Sequence, residues 1–253
     1  MKALILALAW ALLAAPALAQ GAPEAAFLAG LARDCPGCNL AGADLQRRDL
    51  NGANLASATL GGANLYLANL EGANLAAANL DGANLSRATL RNADLSHATM
   101  SFATLYLADG TSAKFTGAYA KEAILVRMRL QRANFEDAKF IDSDFRLVSL
   151  GGATFRNAYL GGSRFDQVNL GRIDMAGVNL EVADLPYATL RGANLAGANL
   201  TDADLYGADL TGANLTGANL SNARLQAATT ADAVLEDVTL DRTVMPNGER
   251  HAP

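Results

Sequence analysis

The chain has 253 residues, half of them apolar and 18% charged, with a net charge of −5. So weakly acidic a chain lacks the basic surface that nucleic acid selects, and it is equally far from the dense acidity of a DNA mimic. Two cysteines and two histidines leave little material for a metal or redox centre.

Met1 and Lys2 precede an apolar run from Ala3 to Ala15 and then Pro16-Ala17-Leu18-Ala19. That order is a secretory leader, with cleavage expected after Ala19. A membrane anchor asks for about 20 apolar residues, and Pro16 cuts this run short. No cysteine stands at the cleavage point and no twin arginine precedes the run, so general export to the periplasm or the exterior is expected. Removing Lys2 with residues 1–19 leaves 19 basic against 25 acidic residues, a net charge of about −6.

Residues 20–37 form the expected N-terminal cap. Pro23 to Arg33 reads as a short helix with Pro in its first turn, placing Phe27, Leu28 and Leu31 on one face to cover the open end of whatever follows. Cys35-Pro36-Gly37-Cys38 contains the only cysteines. In an exported chain, a disulfide between Cys35 and Cys38 is expected. C-x-x-C is also a redox motif, so a thiol oxidoreductase is the alternative. Haem attachment would need His where Asn39 stands, and His97 and His251 supply no zinc site beside the pair.

Over residues 38–245 one five-residue phrase repeats, as in Ala193-Asn194-Leu195, Ala198-Asn199-Leu200 and Ala213-Asn214-Leu215. On a helix, leucines five apart would advance roughly 140° each time and form no stripe. On a flat strand an odd period would send alternate leucines to opposite faces. Both are excluded. A chain that turns a corner in every repeat puts all the leucines on one inside, with the small alanines two places earlier beside them. The intervening Asn or Asp suits hydrogen bonding to nearby backbone. Gly before the alanine, as at Gly62, Gly72 and Gly192, suits a type II turn that needs positive φ.

The phrase A-(D/N)-L-x-x resembles the consensus of the pentapeptide repeat family. The resemblance implies an all-β fold, a right-handed quadrilateral β-helix with four pentapeptides in each twenty-residue coil. About 42 repeats then give roughly ten coils, a rod near 50 Å long at ~4.8 Å per coil.

Outward positions twenty residues apart should stack in columns. One reads Arg47, Leu67, Arg87, Leu107, Arg127, Leu147, alternating with a period of forty. From Ser101 to Leu180 the register holds but the consensus weakens. Gly110 and Ala120 stand at leucine positions, so a bulge or small loop is expected over Gly110 to Lys121. Phe115, Phe135, Phe140, Phe145, Phe155 and Phe165 stand at others. Basic residues concentrate here. The candidate interaction surface comprises Tyr119, Lys139 and Tyr159, read as a cation-π ladder, together with Arg127, Arg129 and Arg132. Glu122, Glu136, Asp137, Asp142, Asp144 and Asp166 lie among these residues, so the bland alternative is a solvated face laced with ion pairs.

The repeat decays from Thr229 to Met245, and residues 246–253 form a polar tail. The family implies end-to-end homodimers through the last coils; a monomer with a polar final coil is the other expectation. No catalytic grouping can be read: His97 is a lone outward histidine, and neither metal nor cofactor is expected. The sequence therefore points to a non-catalytic rod, a structural or protein-interaction module of the bacterial periplasm or cell envelope. Its partner is an unknown protein or envelope component, with nucleic acid not expected. The alternatives are a DNA-mimicking, gyrase-binding member of the family and a thiol redox protein using Cys35 and Cys38.

Overall fold

The computed structural model describes residues 23–252; the leader expected over Met1–Ala19 lies outside them. The chain winds as a right-handed quadrilateral β-helix. Each coil is built from short straight pieces paired in parallel with the pieces twenty residues on, from Asn39↔Thr59 to Arg224↔Val244. Among the described residues two pieces lengthen into three-residue strands, β1 (Tyr119–Lys121) and β2 (Lys139–Ile141), and these pair with each other.

One repeat shows why five residues suffice. The amide of Leu55 donates to Asn74 O (2.7 Å) and that of Ser57 to Ala76 O (2.8 Å), both in the next coil. The amide of Ala58 closes the corner on Leu55 O (3.1 Å), and that of Thr59 reaches back to Cys38 O (2.8 Å). The fifth amide, on Ala56, donates to Asn54 Oδ1 (3.2 Å). Asn or Asp before the leucine can thus take the one N–H that the ladder leaves over, and all five backbone donors of this repeat are satisfied. Side-chain amides add a second ladder outside, as in Asn69 Nδ2 to Asp49 Oδ1 (2.9 Å) and Asn194 Nδ2 to Asp174 Oδ1 (2.9 Å).

Every corner from Gly37 to Arg242 carries one residue of positive φ, at 15 glycines and at 27 other residues. The corner therefore demands the left-handed conformation whether or not glycine is present. A non-glycine residue there costs about 1 kcal/mol, and the array tolerates this at most of its corners.

The interior is a column of leucine and alanine. Through the middle it is repacked around phenylalanine. Phe115, Phe135 and Phe155 stack with centroids 4.6 and 4.7 Å apart, and Phe145 stacks on Phe165 at 4.8 Å. These spacings equal the coil repeat, so each coil contributes one ring to a pile. Phe140, the register partner of Ala120, lies edge-on to Phe115 and Phe135.

The bulge expected over Gly110 to Lys121 does not form, since pairing stays at twenty residues through Asp109↔Arg129, Lys114↔Asn134 and Tyr119↔Lys139. The missing leucine side chain at 110 is replaced from the neighbouring coil: a Cβ on Gly110 would lie 2.7 Å from Met128 Cε and 3.1 Å from Leu130 Cδ2. Met128 occupies an alanine position, and its length fills the gap. The local departure falls instead at the next corner. There the amides of Ala123 and Ser143 donate to the hydroxyls of Ser143 (3.2 Å) and Ser163 (3.0 Å), instead of closing the turn on backbone carbonyls. Ser163 Oγ in turn donates to Phe140 O (2.7 Å). Two buried serines at alanine positions open the corner beside Phe140 and keep its polar groups paired.

At the N-terminal end α1 (Pro23–Leu28) is shorter than the helix expected to Arg33, because the chain turns at Gly30 with φ 76°. Phe27 is buried, but Leu28 and Leu31 are 47% and 84% exposed, so one apolar side chain caps the column and not three. The rest of the cap is polar. Glu24 accepts the amide of Asn39 (3.1 Å) and Asp34 that of Asn54 (2.8 Å), two donors whose counterparts in later coils reach back to the preceding coil. Its own amide and that of Asn39 hold the Glu24 carboxyl below its usual range. Arg48 lies 5.0 Å over the Phe27 ring and donates to Phe27 O (2.8 Å) at the end of α1.

At the other end the tail folds back, with Val244 and Arg250 paired antiparallel and Thr243 Oγ1 donating to Leu220 O (2.7 Å). This covers one edge. Val234 and Leu235 in the last coil remain exposed, so the final coil is not uniformly polar.

The Met128 compensation makes a direct prediction. Gly110→Leu, which restores the consensus, overpacks the column and lowers the melting temperature by an amount corresponding to about 1–3 kcal/mol. Adding Met128→Ala recovers most of the loss, so a double-mutant cycle gives a coupling of at least about 1 kcal/mol between sites eighteen residues apart. Additive losses would show that Met128 does not fill the space.

Candidate interaction surface

Each repeat offers three outward side chains: the one before the leucine, on a flat face, and the two after it, at the corner. Positions twenty residues apart fall directly over one another. Tyr119, Lys139 and Tyr159 accordingly form one column, paired Tyr119↔Lys139 and Lys139↔Tyr159. The rings do not sandwich the ammonium. Tyr159 lies instead along its own strand over Gly161, where a Cβ would come 3.0 Å from Tyr159 Cε1. Glycine beside the ring gives it a bare backbone to rest on, which draws it away from Lys139. Among the described residues the cation-π contacts are Arg48 on Phe27 and Arg224 on Tyr206, the latter at 4.3 Å.

Arg129 projects from a face, between Arg127 and Arg132 at the corners on either side. The structure pairs Arg129 with Asp109, and Arg132 Nε donates to Ser112 Oγ (3.2 Å). Arg129 and Arg132, with Thr111, Gln131 and Gly151, line a shallow cleft of about 400 Å³. Arg127 opens at its corner into a second cleft of about 510 Å³, walled by Tyr106, Val126, Arg146, Leu147, Asp166 and Gln167. The tyrosine and lysine column lies two repeats away from Arg129, on the opposite side of the four-sided coil. The six singled-out residues thus divide between two opposite faces. Tyr106, Arg146, Leu147 and Asp166 were not among them, although the column after the leucine, read at twenty residues, places Tyr66, Ser86, Tyr106, Val126, Arg146 and Asp166 in line.

Most of the positive charge in the middle is neutralised locally. Lys114 meets Asp94 (3.8 Å), Arg146 meets Asp144 (2.6 Å), Arg156 meets Asp174 (2.9 Å), and Arg164 lies between Asp144 (3.9 Å) and Asp166 (3.7 Å). Exposed pairs of this kind contribute about 0–1 kcal/mol each. Arg127, Arg132 and Lys139 meet no carboxylate among the described residues.

The carboxylates divide into two kinds. Partial burial pushes Asp109, Asp144 and Asp174 up, but hydrogen bonds from Arg129 and Thr111, from Arg146, and from Arg156 with Asn194 outweigh it and hold all three below the usual range. Asp184 goes the other way: burial raises it first, and the neighbouring Asp166 and Asp204 add to the rise. His97 stands at a corner with its ring over Gly117, where a Cβ would meet Nδ1 at 2.5 Å. Among the described residues no three of His, Cys, Asp and Glu gather in a metal-binding group. Cys35 and Cys38 are buried at the start of the column with Cα atoms 5.4 Å apart, a separation that a disulfide spans.

The signs of these shifts fix the pH response. Asp109, Asp144 and Asp174, like the similarly depressed Glu24, Asp94 and Asp209, stabilise the fold above about pH 4, the unfolded value, and that contribution is lost as pH falls through their folded values. Asp184, raised on folding, works against the fold once it is ionised. Asp184→Asn therefore raises the melting temperature at pH 7, and the gain shrinks to nothing below about pH 4. A gain that persisted in acid would locate the effect outside the charge.

The sequence matches the family model described as pentapeptide repeats, in eight copies over residues 34–72, 73–109, 113–152, 143–181 and 179–217. Curated proteins gave no match. Among solved structures, the chain is similar to HetL, a pentapeptide repeat protein involved in heterocyst differentiation regulation from the cyanobacterium Nostoc sp. Strain PCC 7120. Identity is 29% over 90% of this chain and 97% of that one, with a TM-score of 0.45. It is also similar to full-length QnrB1, a plasmid-mediated fluoroquinolone resistance protein, at 20% identity over 82% and 93% with a TM-score of 0.37. A pentapeptide repeat protein from the Arabidopsis thaliana thylakoid lumen matches at 27% identity over 40% and 71%, with a TM-score of 0.24. With the family model covering most of its length, and its backbone turning a corner every five residues, the chain belongs to the pentapeptide repeat family.

Proposed function

We propose that this protein is a non-catalytic rod that works as a structural or protein-interaction module in the bacterial periplasm or cell envelope. The observation that carries this reading is the way the fold divides its residues. Apolar side chains, chiefly leucine, alanine and phenylalanine, fill the inside, and the charged side chains stand in fixed columns on the outer faces and corners. Rigid columns present side chains to a partner at little entropic cost. The clefts beside Arg127 and Arg132 are shallow and walled by such columns, a form suited to another macromolecule and not to an enclosed substrate. The secretory order of Met1 to Ala19 supports export.

Cys35 and Cys38 act in this reading as an oxidised staple of the first coil. Both are buried, whereas a redox thiolate needs access and an electropositive setting.

Two measurements check the proposal. Fractionation is expected to find the protein in the periplasm with its terminus at Gln20; unprocessed protein in the cytoplasm would overturn export and favour the gyrase-binding alternative. Reversing charge at Arg127, Arg129 and Arg132 is expected to weaken capture of a partner from envelope extract at least fivefold. Arg127→Glu with Arg132→Glu, which leaves the pair of Arg129 with the partly buried Asp109 intact, should weaken capture likewise with the melting temperature within a few degrees. For the staple, reductant is expected to lower the melting temperature of the native protein and to leave Cys35→Ser with Cys38→Ser unchanged; identical curves for the native protein with and without reductant would refute it.

A further inference from the structure

The corner that carries Arg47, Leu67, Arg87, Leu107, Arg127 and Leu147 differs from the other three. At the left-handed position the others carry four, five and five glycines, whereas this one carries Gly207 alone. Eight successive coils, from Arg47 to Tyr187, place a side chain there with φ between 56° and 61°. Glycine would relieve strain at each of them. Strain retained at so many adjacent positions points to a use for the side chains.

Their neighbours keep them standing outward. At the other corners a large residue leans onto the glycine of the next coil: a Cβ on Gly162 would meet Asp142 Oδ1 at 2.2 Å, and one on Gly177 would meet Asn157 Oδ1 at 2.6 Å. From Arg47 to Leu147 no such glycine exists, and the same position of the next coil always carries another large side chain. Leu67, Leu107 and Leu147 remain 39%, 36% and 58% exposed. Arg47, Arg87 and Arg127 meet no carboxylate among the described residues. Tyr66 and Tyr106 stand next to Leu67 and Leu107 in the chain, and Tyr106 and Leu147 wall the cleft into which Arg127 opens. The result is an outward ridge of unpaired guanidinium groups alternating with aromatic and aliphatic platforms.

The spacing selects the occupant. Arginines on alternate coils recur every ~9.6 Å. Three residues of polyproline II rise ~9.3 Å and complete one turn, so every third side chain faces the same way and stays in step with the arginines. A seven-residue helical period rises ~10.5 Å and slips by about 1 Å at each arginine. A β-strand repeats its faces every ~6.7 Å and does not match. We propose that this corner binds an extended polyproline II segment of a partner protein that carries a carboxylate at every third residue. The carboxylates pair with Arg47, Arg87 and Arg127, and the prolines lie on the Tyr66, Leu67, Tyr106 and Leu107 platforms, as such segments lie in aromatic-lined grooves. This rests on the interaction-rod reading above and names the chemistry of its partner.

The test uses the full mature chain and a labelled (Glu-Pro-Pro)5 peptide, with a control of the same composition and irregular carboxylate spacing. The regular peptide is expected to bind at least tenfold tighter than the control, and less tightly as salt rises. Arg87→Gly with Arg127→Gly is expected to weaken binding at least tenfold while the melting temperature stays level or rises, since glycine relaxes both corners. Equal binding of the two peptides, or unchanged binding by the glycine variant, overturns the proposal. Binding of polygalacturonate in place of the peptide also overturns it, in favour of an anionic polysaccharide. If the peptide fails while charge reversal at Arg127, Arg129 and Arg132 still weakens capture from envelope extract, this inference falls and the rod reading stands.

Discussion

The structure depends on a corner closed every five residues by a residue of positive φ. That corner turns an odd sequence period into a single inside, so leucines five apart meet in one column. It also points the remaining amides up and down the rod, where the neighbouring coils accept them. Hydrogen bonding and burial are therefore one event, because a coil that loses its corner loses both. The conformation is disfavoured for most of the residues that adopt it, and it holds because stacked coils on either side over-determine it. At the first described coil Glu24 and Asp34 take amides that elsewhere bond to the preceding coil, and the folded-back tail covers one edge of the last.

In a solenoid each coil touches only the next, so defects must be made good nearby. Met128 fills the space at Gly110, and Phe140 stacks on Ala120 beside a corner that Ser143 and Ser163 hold open. The phenylalanine piles follow the same rule, since a ring with no ring above or below it would lose its stacking partner. Volume is conserved over two or three coils, not within each repeat. That explains how the middle can abandon the consensus while the register never slips.

The winding was legible in the sequence because period and register are backbone properties, written identically in every repeat. Compensation was not legible in the same way. The gap at Gly110 reads as a bulge when only its own repeat is considered, and the residue that fills it lies eighteen places on. Residues 23–33 carry enough apolar side chains for a helix face, but Gly30 ends α1 early, and the satisfaction of orphan amides by Glu24 and Asp34 leaves no periodic trace. The column Tyr119, Lys139, Tyr159 was correctly stacked by counting twenties. Counting could not show that Gly161 gives the Tyr159 ring a better resting place than the ammonium. Buried Ser143 and Ser163 did leave a signal, polar residues where alanine belongs, but it takes on meaning only once the opened corner is seen.

The positions that carry information to a partner follow from the same constraint. Inside positions are fixed by packing, and the residue before each leucine is held to Asn or Asp wherever it must take the spare amide. The corner pair is free of both duties. Its second member bears the φ penalty, so the resting choice there is glycine and any larger residue is a departure from the lowest-strain sequence. Where a departure is absorbed by a glycine one coil on, as Asp142 is by Gly162, the side chain folds against the rod and little is offered outward. Where departures succeed one another along a corner, no such refuge exists and the side chains must face solvent. Outward reach and backbone strain are thereby linked in this fold, and the run from Arg47 to Leu147 combines the two over six successive coils.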